Sequence, residues 1–415
     1  MREDWIETEI ISVANLYQPK TISSKMLVEN GKYAVYGANG VIGCYHKYNH
    51  EEAEFLITCR GATCGNVHIT KPYSWINGNA MVVQPFKKQL LSLDYLKYVF
   101  TNKGRVQKAI SGSAQPQITR TTLSPIRIPL APLPEQRAIV AKIEELFSEL
   151  DKGEEDLKKA QEQLKIYRQA VLNKAFEAEV IRKSPKQKLS SVTDKIGSGS
   201  TPRGGRNSYK SEGIPLVRSL NIHFDYIKYD GLAFIDEEQA SKLKNVVINE
   251  GDVLLNITGA SIGRVNIAPA EFDGGRVNQH VSIIRANSSV LLPLFLKFYI
   301  QSPLIQDWIS NENYGVTRQA LTKSAQENIE IPILSIHEQG LIINEIESRL
   351  SVCDNVEASI RESLDKSKAL RQSILKKAFE GTLLSEEEIA ACKAASDYEP
   401  ASVLLERIKA EKKKN

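Results

Sequence analysis

Two periods of apolar and polar residues alternate along this chain, and they divide it. From Ile139 the positions Ile143, Leu146, Leu150, Gly153, Leu157, Ala160, Leu164, Tyr167 and Val171 follow in steps of four and three, the seam of a long coiled-coil helix. A less regular copy runs through Ile342, Ile346, Cys353, Val356, Ile360, Leu370 and Ile374, interrupted by Arg349, Ser363 and Ser367. Neither run contains proline, so the pattern predicts helices from about Glu135 to Glu177 and from Glu338 to Glu380, each roughly 65 Å long. Ahead of each helix the pattern changes to short β-prone runs broken by Gly, Asn and Pro. These are YAVYG, FLIT, VHIT and MVVQP in one half, and IPLVRS, DVLLNITG and VSIIRA in the other. One helix is expected to follow in each half, LDYLKYVFTNKGRVQKAI and PLFLKFYIQSPLIQDWI, and a short amphipathic helix begins at Ala401 in the basic tail.

The repeated order is a duplication. Sliding the chain by 203 residues lays Ile128–Glu177 over Ile331–Glu380 without a gap, with 18 identities in 50 positions. Both copies open on Ile-Pro, continue with Glu-Gln (Glu135-Gln136, Glu338-Gln339) and close on RQAVLNKAFE or RQSILKKAFE. At an offset near 198, RGATCGNV (60–67) lies over TGASIGRV (258–265), INGNAMVV follows over VNQHVSII, and GSAQPQIT (112–119) matches GVTRQALT (315–322). The fold class expected is therefore α+β, two α+β domains separated by two long antiparallel coiled-coil helices with a pseudo-two-fold duplication. The domain limits read 1–133, 134–182 (first helix), 183–336, 337–384 (second helix) and 385–415 (tail helix).

Composition adds little to this picture until the distribution of charge is considered. The 415 residues carry a net charge of +4, and no apolar run approaches the roughly 18 residues of a membrane span, so a soluble, cytoplasmic chain is expected. Yet 95–128 holds Lys97, Lys103, Arg105, Lys108, Arg120 and Arg127 without an acid, and 274–306 holds Arg276, Arg285 and Lys297 likewise, as a polyanion partner would favour. The cysteines (Cys44, Cys59, Cys64, Cys353, Cys392) and histidines (His46, His50, His68, His223, His280, His337) lack metal-ligand spacing, so free thiols and no metal site are expected.

No catalytic constellation stands out. The chain has no phosphate-binding G-x-x-x-x-G-K-[ST] loop, no H-E-x-x-H, and no Asn-Pro-Pro-aromatic tetrapeptide, while Gly197-Ser198-Gly199-Ser200 lacks the third glycine of a dinucleotide fingerprint. What it does carry is Gly-adjacent polar segments: glycine lets backbone approach phosphate, and Arg, Asn and Gln bond base edges in pairs. Candidate DNA contacts are Arg60, Thr63, Asn66, Asn77, Asn79, Gln115, Gln117 and Arg120 in the first half. In the second they are Arg203, Arg206, Asn207, Tyr209, Lys210, Ser261, Arg264, Asn278, Gln279, His280, Arg318 and Gln319. The same segments also read as capped turns.

Taken together, VYGANGVIGCYHKY, LITCRGATCGNVHIT, WINGNAMVV and GSAQPQIT, the GSGSTP loop, GIPLVRSLNI, GDVLLNITGASIGRV, VNQHVSIIRA and both repeated helices resemble the specificity subunit of type I restriction–modification enzymes over nearly the whole chain. The resemblance implies a non-catalytic subunit whose two target-recognition domains each read one part of a split site in double-stranded DNA. It also implies that the helices space those domains and dock two modification subunits. S-adenosylmethionine, ATP and Mg would belong to partners, namely the modification subunits and the restriction/translocase subunits, and none to this chain. The copies differ where Gly340 replaces Arg137 and Gly381 replaces Ala178. Two rivals stay open on the sequence: a coiled-coil interaction or scaffolding protein, and a fused methyltransferase without recognisable motifs.

Overall fold

The computed structural model describes residues 2–38, 40–112, 115–202, 204–312 and 320–413, except for the side chains of Lys103 and Arg206. It contains two compact units, Met1–Leu157 with Glu362–Asn415, and Lys158–Arg361. Each long helix, Leu133–Phe176 (44 residues) and Ile336–Glu380 (45 residues), is shared between them.

Both units use one plan. In the first, an antiparallel sheet runs in the order Ala14–Tyr17, Ala80–Pro85, Phe55–Thr58, Val67–Ile69. A second sheet sets Tyr33–Gly37 antiparallel to Gly40–Tyr45 and parallel to Trp75–Ile76. The other unit repeats this with Thr193–Ser198, Val281–Ala286, Val253–Asn256 and Val265–Ile267, and with Ile214–Val217 between Ala233–Ile235 and Arg276–Val277. The continuous apolar runs FLIT and VLLN are buried along their whole length, which is why they do not alternate.

The helix expected to follow each sheet is in fact two. Leu93–Thr101 stops at Asn102, whose side chain accepts from the Gly104 amide and starts Lys103–Gln107. Pro293–Gln301 stops at Ser302, held extended by the proline that opens Pro303–Glu312.

The Glu-Gln pair fixes each long helix to its own unit. Gln136 is fully buried; its Nε2 donates to the Ala131 carbonyl at 2.9 Å while its Oε1 accepts from the Ser92 amide at 3.3 Å. Gln339 repeats this, donating to Leu334 and Val290 and accepting from Leu292 at 2.8 Å. The neighbouring glutamates diverge. Glu338 forms a capping box with Ser335, whereas buried Glu135 accepts from Trp5 Nε1 at 2.8 Å and meets Arg2 at 3.3 Å.

Within each unit the two helices run antiparallel. Early residues of the first (Ile139, Ile143) share a core with late residues of the second (Ile374, Ala378, Phe379) in one unit. In the other, Leu172 and Phe176 pack with Ile343 and Ile346. The expected seam of the second helix needs correction, because Val356 and Leu370 are exposed. Ser367 and Arg371 take inward places: Ser367 Oγ donates to Glu154 at 2.6 Å, and Arg371 reaches Asp151 at 2.6 Å while lying 5.0 Å over the Phe147 ring. Arg168 plays a similar part in the other unit, bonded to Asp354 at 2.5 Å and Glu357 at 3.1 Å. Polar residues that break a heptad on paper thus complete it through long stems and charged partners.

The tail holds two helices rather than one, Glu386–Lys393 and Ala401–Lys412. Leu404, Leu405 and Ile408 enter the core of the first unit, and Asp4 anchors the segment between the helices. Its carboxylate accepts from Lys393 and Tyr398, both at 2.8 Å, and its carbonyl from the Ala401 amide. Those two side chains, Lys393 first, hold the Asp4 carboxyl below the ordinary carboxylate range. A depressed carboxyl stabilises the fold above its unfolded value, and that contribution is lost as pH falls through the folded one. Acidification should therefore loosen 385–413 before the sheets, and Asp4→Asn should reduce that pH dependence, leaving the part due to Glu388, whose carboxyl the Ser385 amide also holds low. Amide exchange of 385–413 against pH measures both.

Candidate nucleic-acid interface

Three segments distant in sequence meet at one backbone junction in each unit. In the first, the Cys59 amide donates to the Asn79 carbonyl at 2.9 Å and the Cys59 carbonyl accepts from the Ile118 amide at 2.9 Å, while Arg60 bridges to Gln117. In the second, the Ile257 amide donates to the His280 carbonyl at 3.0 Å, its carbonyl accepts from the Leu321 amide at 2.8 Å, and Thr258 bridges to Ala320. The positions correspond one to one under the duplication. Each junction gathers the three polar segments at the end of its four-stranded sheet.

Arg60, Asn66, Asn79, Gln115, Gln117 and Arg120 are exposed there. Arg60 and Arg120 make no ion pair among the described residues, so their guanidinium groups face solvent. Thr63 is half-buried and donates to the Ala38 carbonyl at 3.1 Å, as Thr58 does at 2.6 Å, tying the loop after Tyr33–Gly37 into the cluster. Asn77 and Asn278 have inward places instead, 3% and 4% exposed. Asn77 Oδ1 accepts from the Ile22 amide at 2.9 Å and from Trp75 Nε1 at 3.2 Å; Asn278 Oδ1 accepts from the His280 amide at 3.0 Å. They hold the loops that carry their neighbours.

In the second unit Gln279 is exposed and bonds both Thr201 and the His280 ring, whose Nδ1 meets Thr258 Oγ1. Arg264 lies 3.4 Å from His223 Nδ1, and His223 stacks on exposed Tyr226 with ring centroids 4.3 Å apart. Burial, then the Arg264 charge, keeps the His223 imidazole below its ordinary range, so it is neutral at pH 7. Ser261 sits half-buried in the intervening turn. Asn207, Tyr209 and Lys210 lie beside strand Ala233–Ile235 and Arg218. The Lys210 amide donates to Phe234, its ammonium lies 3.3 Å from Asp236, and Tyr209 packs beneath Arg218. Arg203, Arg318 and Gln319 lie outside the described residues, as does the side chain of Arg206.

The acid-free stretches are less basic in space than in sequence. Arg105 and Arg127 lie 3.7 and 4.0 Å from Glu7, Arg285 is held by both oxygens of Asp252 at 2.8 and 2.7 Å, and Arg276 is spent on backbone carbonyls. Sequence reasoning took in Thr201 and Thr258 only as members of the polar segments 200–210 and 258–264 and passed over His223 and Tyr226 as contacts; nothing in the spacing marks these two. No group of His, Cys, Asp and Glu able to hold a metal exists among the described residues, and no helix of theirs is long and apolar enough to cross a membrane.

Comparison with known proteins gives the family and the fold. The family model described as "Type I restriction modification DNA specificity domain" matches residues 2–159 and 186–365, one stretch for each half of the duplication. The EcoBI specificity subunit of Escherichia coli is 27% identical over 318 residues, 71% of this chain and 66% of the relative. The StySPI specificity subunit of Salmonella potsdam is 25% identical over 401 residues, 91% and 79% of the two chains. Among solved structures, a chain from a study of assembly and conformational transition in a type I R-M system has a TM-score of 0.71 at 19% identity, covering 92% of this chain and 99% of its own. The HsdS subunit from Thermoanaerobacter tengcongensis gives 0.56 at 19% identity, covering 92% and 98%. The chain belongs to the type I restriction–modification DNA specificity family: it is a specificity subunit, a DNA-recognition component and not a catalytic one.

The inward asparagines and outward arginines predict opposite phenotypes. Asn77→Ala and Asn278→Ala strand buried backbone groups and should each destabilise their unit by about 1–3 kcal/mol. Arg60→Ala should leave thermal unfolding unchanged. Calorimetry on the three variants separates the two classes.

Proposed function

We propose that this chain gives a type I restriction–modification complex its sequence specificity by laying one unit on each part of a bipartite DNA site. The observation that carries this reading is the repeated three-segment junction, since two copies of one reading surface suit two separate contacts. Phosphate contacts would come from Arg60 and Arg120, and base-edge contacts from Asn79, Gln117, Gln279 and Arg264, residues that are not enclosed in the cores. His223 and Tyr226 join that set because they lie beside Arg264. Asn77 and Asn278 position the loops.

The long helices would dock two modification subunits and set how many base pairs go unread between the half-sites, as spacing is set in other two-headed DNA readers. S-adenosylmethionine, ATP and Mg would enter with the modification and restriction/translocase partners.

Exchanging 200–326 for the matching segment of a relative with another target tests independent reading. Methylome sequencing should then show one half of the site changed and the other retained; change in both halves contradicts the reading. Inserting seven residues at Gly153, matched by seven in the second helix, should widen the unread gap, and an unaltered gap would show that the helices do not set the spacing.

A further inference from the structure

The loop that leads into strand Val281–Ala286 is held from three sides. The Asn278 amide donates to the Val217 carbonyl at 3.1 Å, the Asn278 carbonyl accepts from the Gly199 amide at 3.1 Å, and the His280 carbonyl accepts from the Ile257 amide. Position 199 has room only for glycine, because a Cβ there would stand 1.7 Å from the Val277 carbonyl oxygen. That close approach lays the segment Gly197-Ser198-Gly199-Ser200 against the loop and sets Thr201 beside Gln279.

Gln279 is exposed, yet half of its amide is already engaged. Its Oε1 accepts from the Thr201 hydroxyl, and its Nε2 lies 2.9 Å from His280 Nε2. An amide nitrogen only donates, so His280 Nε2 is the acceptor. The ring therefore carries its proton on Nδ1, which donates to Thr258 Oγ1 at 2.5 Å. A side-chain amide has two N–H groups and two carbonyl lone pairs. With one of each taken by the loop, one donor and one acceptor remain side by side. Adenine shows the complement in the major groove, N7 accepting and the N6 amino group donating, whereas guanine shows two acceptors and would leave Oε1 unpaired. A glutamine already ordered by two bonds also loses less side-chain freedom on binding than a free one.

We propose that Gln279 specifies an adenine in the half-site read by the second unit, with Thr201 and His280 as positioning residues that hold its amide. The first unit lacks this device. Gly78 stands at the matching place, where a Cβ would lie 2.5 Å from the Pro19 carbonyl oxygen, and Asn79 replaces His280. The adenine requirement set in this way belongs to one half-site only. The assignment rests on the reading above, in which each unit takes one part of a bipartite site.

The test is selection of bound duplexes from a library with every base pair randomised, using the chain assembled with its modification subunits. The half-site that exchange of 200–326 alters should hold one position fixed as adenine. Gln279→Glu, an acceptor without a donor, should move that position alone toward cytosine. His280→Ala and Thr201→Val should each relax that position about fivefold or more and leave the others unchanged, and His280→Gln, which keeps one donor and one acceptor, should restore it. Replacing the selected adenine by 7-deazaadenine, in which C–H takes the place of N7, should weaken wild-type binding about fivefold or more and leave Gln279→Ala indifferent. A half-site without adenine, or one that does not respond to Gln279→Glu, overturns the assignment while the bipartite reading stands. Uniform weakening by His280→Ala, with no position relaxed, overturns its positioning role. A library that yields no bipartite site sinks the underlying reading and this assignment with it.

Discussion

A helix of 44 or 45 residues with one apolar stripe needs a second helix to cover it, and here that cover comes from the duplicate running the other way. Everything else in the fold depends on that pairing. Because the partners are antiparallel, each unit is completed by the start of one long helix and the end of the other, so the unit of Met1–Leu157 takes in the distant stretch Glu362–Asn415. The buried glutamines make this stiff. Gln136 and Gln339 bond backbone groups on both sides of the helix entrance, so each helix starts in a fixed orientation relative to the sheet it serves.

The same economy shapes the surface proposed to read DNA. A strand end with its amide and carbonyl both engaged by neighbouring loops holds three polar segments together by backbone alone. The exposed side chains Arg60, Asn79 and Gln117 are therefore not needed to hold the junction together. Buried Asn77 and Asn278 carry the structural burden at matching places.

Much of this was legible in the sequence. Period and repeat revealed both long helices, the α+β halves and the duplication, because those depend on local pattern and on comparison of the chain with itself. What escaped was tertiary. Gln136 and Gln339 were visible as a motif, but their tertiary partners lie 44 to 49 residues away. Asn77 and Asn278 look like surface turn residues until the backbone they bind is known. Ser367 reads as a break in a heptad because the acid that accepts it, Glu154, lies on the other helix. The acid-free stretches exaggerated the basic surface, since Glu7 and Asp252 reach them from outside.

The central claim is that one polypeptide contacts duplex DNA at two separate places through equivalent surfaces. Hydroxyl-radical footprinting of the chain assembled with its modification subunits tests it most directly. The account predicts two protected tracts flanking an unprotected gap, with Arg60→Ala weakening one tract and Arg264→Ala the other. A single continuous footprint, or one that responds as a whole to either substitution, would contradict it.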